Sequence, residues 1–89
     1  MIVKLFPEVK SETTIKISNK LRSLRRSKGL TQFDVAREVR LSRMHYWRIE
    51  KGDMLPSALH LNRLAKFYGV SMEWFFDEDL NVPPPEVRA

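Results

Sequence analysis

Residues 30–52 read LTQFDVAREVRLSRMHYWRIEKG, and this one stretch carries two helix starts and a helix stop. Thr31, with Asp34 three residues on, has the spacing of a capping box. In that motif the hydroxyl and the acid each satisfy a backbone N–H of the first turn, although Glu or Gln is the usual acid. The helix so begun runs from Gln32 to about Val39, with Val35, Ala36 and Val39 inward. Ser42 is the next N-cap candidate, opening a helix from Arg43 to about Glu50 that Gly52 terminates.

Only Arg40, Leu41 and Ser42 separate these two helices, so residues 32–50 form a helix-turn-helix unit. Upstream, Ile17, Leu21 and Leu24 recur at spacings of four and three, one stripe of a helix that begins near Thr14 or Lys16 and stops at Gly29. Downstream, Ser57 after Pro56 caps a fourth helix with Leu61, Leu64, Ala65 and Tyr68 inward and Gly69 at its end. Ser71 caps a fifth, from Met72 to about Asp77, whose Trp74, Phe75 and Phe76 are too apolar for idle surface. The expected fold is all-α, a compact five-helix domain over residues 16–77. Residues 1–15 (MIVKLFPEVKSETTI) form an N-terminal arm, read as a short strand, a dimer arm or a loose leader. Residues 78–89, ending in NVPPPEVRA, favour extended polyproline geometry and a flexible tail.

The chain has 89 residues, enough for one core, and 43% of them are apolar. No apolar run approaches the roughly 20 residues that span a bilayer, and the start lacks the apolar segment of a signal peptide. Cysteine is absent, so there is no disulfide framework and no thiolate metal site, which fits a cytoplasmic, nucleoid-associated protein. Charge is unevenly placed. Residues 16–52 hold eleven basic side chains against three acidic ones, whereas residues 53–89 are net acidic, with Asp77, Glu78 and Asp79 together. A basic half beside an acidic half is either a solvated surface or a face made for a polyanion.

The quoted stretch resembles the helix-turn-helix of the phage-repressor (Cro/lambda-repressor-like, XRE) family. The likeness rests on Leu30, Thr31 and Gln32, the small Ala36, Ser42, Ile49 with Glu50, and Gly52. It continues through Pro56 and Ser57, the leucines of the fourth helix, and the Gly69, Val70, Ser71 turn. Ala36 sits where the two helices cross, and Tyr46 and Ile49 face the core and hold the second one down. The resemblance implies a partly buried, structural ion pair between Arg25 and Glu50. One position departs from the family: the turn residue usually glycine is Arg40 here.

The resemblance also implies double-stranded DNA as partner, with the helix of residues 43–50 in the major groove. Carried over by position, the base-reading residues are Arg43, Met44 and Arg48. Arginine suits this role because its fork pairs with O6 and N7 of guanine. Phosphate contacts fall to Gln32 with its backbone N–H, Ser42, His45 and Lys51. Arg37 and Arg40 are further candidates for DNA contact. Trp47 lies on the outer side of the helix and either packs against a neighbouring loop or meets DNA.

His45 and His60 have no acidic or cysteine partner at ligand spacing, and no nucleophile elbow or glycine-rich phosphate loop is present. No catalytic residue, metal or cofactor is expected. The reading is therefore a sequence-specific transcriptional regulator, a repressor acting as a homodimer on a palindromic operator. Trp74 and at least one of the two phenylalanines are expected in the core, and Phe75 and Phe76, or the apolar leader, are candidate dimer surfaces. The alternative is an antitoxin or protein-interaction module with a partner such as a toxin and secondary DNA binding. A restriction–modification controller is a third role with the same chemistry as the first.

Overall fold

In a computed structural model of the chain, residues 11–77 are described, and every helix among them starts on a hydroxyl. The helices are α1 (Glu12–Ser27), α2 (Gln32–Glu38), α3 (Arg43–Lys51), α4 (Ala58–Tyr68) and α5 (Met72–Phe75). Ser11, Thr31, Ser42, Ser57 and Ser71 each accept a hydrogen bond from the backbone N–H three residues on. Each bond satisfies one of the donors that a helix start leaves orphaned. Thr31 and Asp34 close the full capping box, with bonds of 3.0 and 2.9 Å.

Four of these helices also end alike. Leu30, Leu41, Asp53 and Val70 each donate a backbone N–H to the carbonyl five residues back, over 2.9 to 3.1 Å. The residue before each has positive φ: Gly29, Arg40, Gly52 and Gly69. This is the Schellman ending, which needs one left-handed residue and suits glycine. Arg40 adopts it at φ 61° without being glycine, at a cost of about 1–2 kcal/mol. Leu30, Leu41 and Val70 then fold back against the core, so each turn is closed by an apolar contact as well.

The core is one cluster. Ile17, Leu21 and Leu24 of α1 meet Val35 and Ala36 of α2, Tyr46 and Ile49 of α3, Leu61 and Leu64 of α4, and Trp74 and Phe75 of α5. Helix α3 packs on α1 and α2, while α5 touches α1 and α4. Ala36 is buried where α2 meets α3, and its small side chain lets the second helix lie close.

Three details depart from the sequence reading. Helix α1 starts at Glu12, because Ser11 caps a turn that precedes the apolar stripe, so residues 12–15 of the expected arm are helical. Helix α5 closes at Phe75, and the N–H of Phe76 already bonds back to Glu73 and Trp74. Of the two phenylalanines, at least one of which is expected inside, Phe75 is fully buried in the core and Phe76 is 48% exposed. Lys20, counted with the basic surface, is buried, its Nζ donating to the carbonyls of Trp74 and Asp77 and lying 4.8 Å from the Trp74 ring centroid. It thereby serves the carbonyls at the end of α5. The rest of the arm, up to residue 10, and the tail from residue 78 lie outside the described residues.

Candidate nucleic-acid interface

Helix α3 has one face tied to the fold and one face in solvent. On the tied face, Arg25 reaches from α1 to Glu50 with both arms of its fork: Nε donates to Oε2 at 2.6 Å and a terminal nitrogen to Oε1 at 3.0 Å. Its remaining nitrogen donates to the Leu30 carbonyl at 3.0 Å. Gln32 adds a third donor to the Glu50 carboxylate at 3.0 Å. Arg22 donates to the Glu50 backbone carbonyl and to Asn19. Burial pushes the Glu50 carboxyl up, but Arg25, the Tyr46 hydroxyl and Gln32 beside it outweigh that and hold it below the usual carboxylate range. Burial, foremost, and the neighbouring Tyr68 and Glu50 push the Tyr46 phenol far above its normal range, so it stays neutral. Burial likewise pushes Tyr68 up to about 12.

On the solvent face stand Arg43, Met44, Trp47 and Arg48. Arg43 and Arg48 are exposed and have no hydrogen bond or ion pair among the described residues. The hydroxyl of Ser42 accepts from the His45 backbone N–H at 3.0 Å, which fixes the first turn. The His45 ring meets His60 of α4 edge to face, with centroids 5.5 Å apart. Burial first, then His45 and Arg63, hold His60 below its usual range. Lys51, at the far end of α3, bridges to Asp53 at 3.2 Å and lies 4.3 Å from the Trp47 ring centroid.

The residues singled out from sequence are thus divided. Arg43, Met44, Trp47 and Arg48 share one exposed helix, with Ser42 at its cap and His45 half-buried beside α4. Arg40 is exposed at the turn, and Arg37 is exposed on α2. The side chain of Gln32 points to Glu50, so an anion at the start of α2 would meet the exposed first turn rather than that amide. Sequence reasoning overlooked Phe33, which is 51% exposed and carries Arg37 at 5.4 Å from its ring centroid. The signal was available: Phe33 is a large apolar side chain off the inward stripe of Val35, Ala36 and Val39. It also overlooked Arg22, whose role depends on where α1 passes the end of α3.

Between α2 and α3 lies an open groove of about 820 Å³, with Phe33, Met44, Trp47 and Arg43 among its walls. A smaller hollow of about 210 Å³ borders Trp47, Arg22, Arg26 and Lys51. No group of acidic, histidine or cysteine side chains with metal-binding geometry occurs among the described residues, and no helix there is long and apolar enough to cross a membrane.

Residues 21–75 match the helix-turn-helix family HTH_3. The chain belongs to the XRE-type helix-turn-helix family. Membership in this helix-turn-helix family makes it a DNA-binding transcriptional regulator. Among curated proteins, an uncharacterized HTH-type transcriptional regulator of Methanocaldococcus jannaschii is 40% identical over 60 residues, covering 67% of this chain and 91% of that protein. The cryptic phage CTXphi transcriptional repressor RstR of Vibrio cholerae is 36% identical over 66 residues, 73% of this chain but 60% of the repressor. The XRE-type match runs from α1 into α5 and includes both helices of the motif.

Proposed function

We propose that the protein is a sequence-specific repressor that binds double-stranded DNA as a homodimer, with α3 in the major groove. The observation that carries this reading is the pair Arg43 and Arg48. Both are exposed and without an internal partner among the described residues, on a helix whose opposite face is fixed by the fold. Each guanidinium fork suits the O6 and N7 acceptors of a guanine, and such a contact is worth about 1–3 kcal/mol of discrimination. Met44 supplies apolar contact beside them. Ser42, His45, Lys51 and the backbone at Gln32 meet phosphates, with Trp47, Arg37 and Arg40 along the edge.

One copy presents one short helix and few base contacts, which supports a dimer on a two-fold operator with half-sites ~34 Å apart. The exposed Phe76 after α5 is the candidate contact between copies. The repressor role is supported by the likeness to RstR, itself a phage transcriptional repressor.

Titration of labelled duplexes tests the assignment. Arg43→Ala and Arg48→Ala each abolish preference among sequences and leave much of the non-specific affinity. Lys51→Ala weakens binding to all duplexes alike and lowers the salt slope by about one. Equal effects of the three variants on every duplex would mean that the reading helix is misassigned. Sedimentation of the complex should give two subunits per operator and Phe76→Glu one; a wild-type stoichiometry of one would remove the dimer.

A further inference from the structure

Three large apolar side chains stand in solvent around the start of α3: Phe33 is 51% exposed, Met44 57% and Trp47 39%. They line the same groove, with Arg43 on its rim. Clustered exposed apolar surface marks a contact surface far more often than scattered residues do. Both rings are also braced. The Lys51 ammonium lies 4.3 Å from the Trp47 ring centroid and is tethered to Asp53 at 3.2 Å; the Arg37 guanidinium lies 5.4 Å from that of Phe33. Such cation–π contacts fix where the walls of the groove stand.

Charge selects the occupant. Leu30, Phe33, Met44 and Trp47 form the apolar part of the lining, Thr31, Gln32, Arg25 and Arg43 the polar part with no acid among them, and Arg37 and Lys51 stand against the two rings. An apolar group embedded in a polyanion fits that surface. The edges of base pairs in the major groove present one such group, the C5 methyl of thymine. Met44 follows Arg43 at the start of α3, and Trp47 lies one turn further on the same side. Phe33 closes the slot from α2.

We propose that Phe33, Met44 and Trp47 together receive a thymine C5 methyl, which makes Phe33 and Trp47 specificity-determining residues beside the arginines. The proposal rests on the DNA-reading role given above. It predicts a thymine in each half-site at the position facing the start of α3.

The test replaces thymine by uracil, one position at a time, in an operator selected from random duplexes. Uracil removes the methyl and keeps every hydrogen-bonding group. At one position in each half-site, uracil should weaken wild-type binding about fourfold per methyl, as expected for one buried methyl-sized group. Phe33→Ala and Trp47→Ala should bind the thymine and uracil duplexes equally while keeping their preference at the guanines assigned to Arg43 and Arg48. Both side chains are exposed, so the thermal midpoints of the two variants serve as the check on folding, and the uracil series itself leaves the protein unchanged. Equal wild-type affinity for both bases at every position would overturn the proposal and leave the slot to an apolar protein segment. So would an operator lacking thymine at the start of α3. If no sequence is selected at all, the DNA-reading role falls and takes this proposal with it; a selected operator indifferent to the methyl removes this proposal alone.

Discussion

Arg25 and Arg43 both border the groove beside Trp47, yet their guanidinium groups have opposite fates. Arg25 is tied to Glu50 and to the Leu30 carbonyl, while Arg43 stands exposed with no partner among the described residues. Both lie in the basic half of the chain, and composition treats them alike. What separates them is an acceptor within reach: α3 turns Glu50 toward α1 and presents Arg43 and Arg48 to solvent. Basic charge therefore marks the candidate region of contact, whereas the internal pairing marks which cations remain available for it.

The largest effect expected on the tied face is that of Glu50→Ala. It strands the Arg25 guanidinium between helices and should lower stability by about 3–5 kcal/mol, read as a shift of the urea unfolding midpoint. A loss below about 1 kcal/mol would mean that the pair behaves as a surface bridge, and the contrast with Arg43 would collapse. The same carboxylate shapes the acid limb. Its folded-state pKa lies below the unfolded value, so its stabilisation is full above the ordinary carboxylate range and is lost as pH falls through the folded pKa. Stability of the wild type should thus decline on acidification, and Glu50→Gln should flatten that decline while lowering the plateau near neutrality.

On the free face the expected pattern reverses. Arg43→Ala and Arg48→Ala should each lose discrimination worth about 1–3 kcal/mol between operator and random duplex, with unfolding free energy moving by no more than about 0.5 kcal/mol. A marked loss of stability in either variant would show that the two faces are not separable. At the turn between α2 and α3, Arg40→Gly should raise the unfolding free energy by about 1 kcal/mol, because it relieves a left-handed φ of 61° at some cost in chain entropy. No gain would mean that the arginine side chain makes a compensating contact.

The helix boundaries were legible because the chain punctuates them. Four of the five N-caps were named from the spacing of Thr31, Ser42, Ser57 and Ser71, and the glycine exits from Gly29, Gly52 and Gly69. The fifth, Ser11, was missed because the apolar stripe of α1 begins only at Ile17, a turn and a half later. The reach of Lys20 was not legible at all. Its burial follows from α5 ending against α1, a long-range fact that a lysine among arginines does not announce. For the candidate interface, position along α3 was enough to separate outward Arg43, Met44 and Arg48 from inward Tyr46 and Ile49. The groove was not, because it needs Phe33 from the preceding helix and a Trp47 braced by Lys51.

Selection of binders from a random duplex pool at near-physiological salt tests the central claim most directly. The account predicts enrichment of a palindrome whose half-sites lie ~34 Å apart, with guanines that Arg43→Ala and Arg48→Ala cease to distinguish. Salt-sensitive binding with no enriched sequence would contradict it, and would mean that the exposed face of α3 holds DNA without reading it.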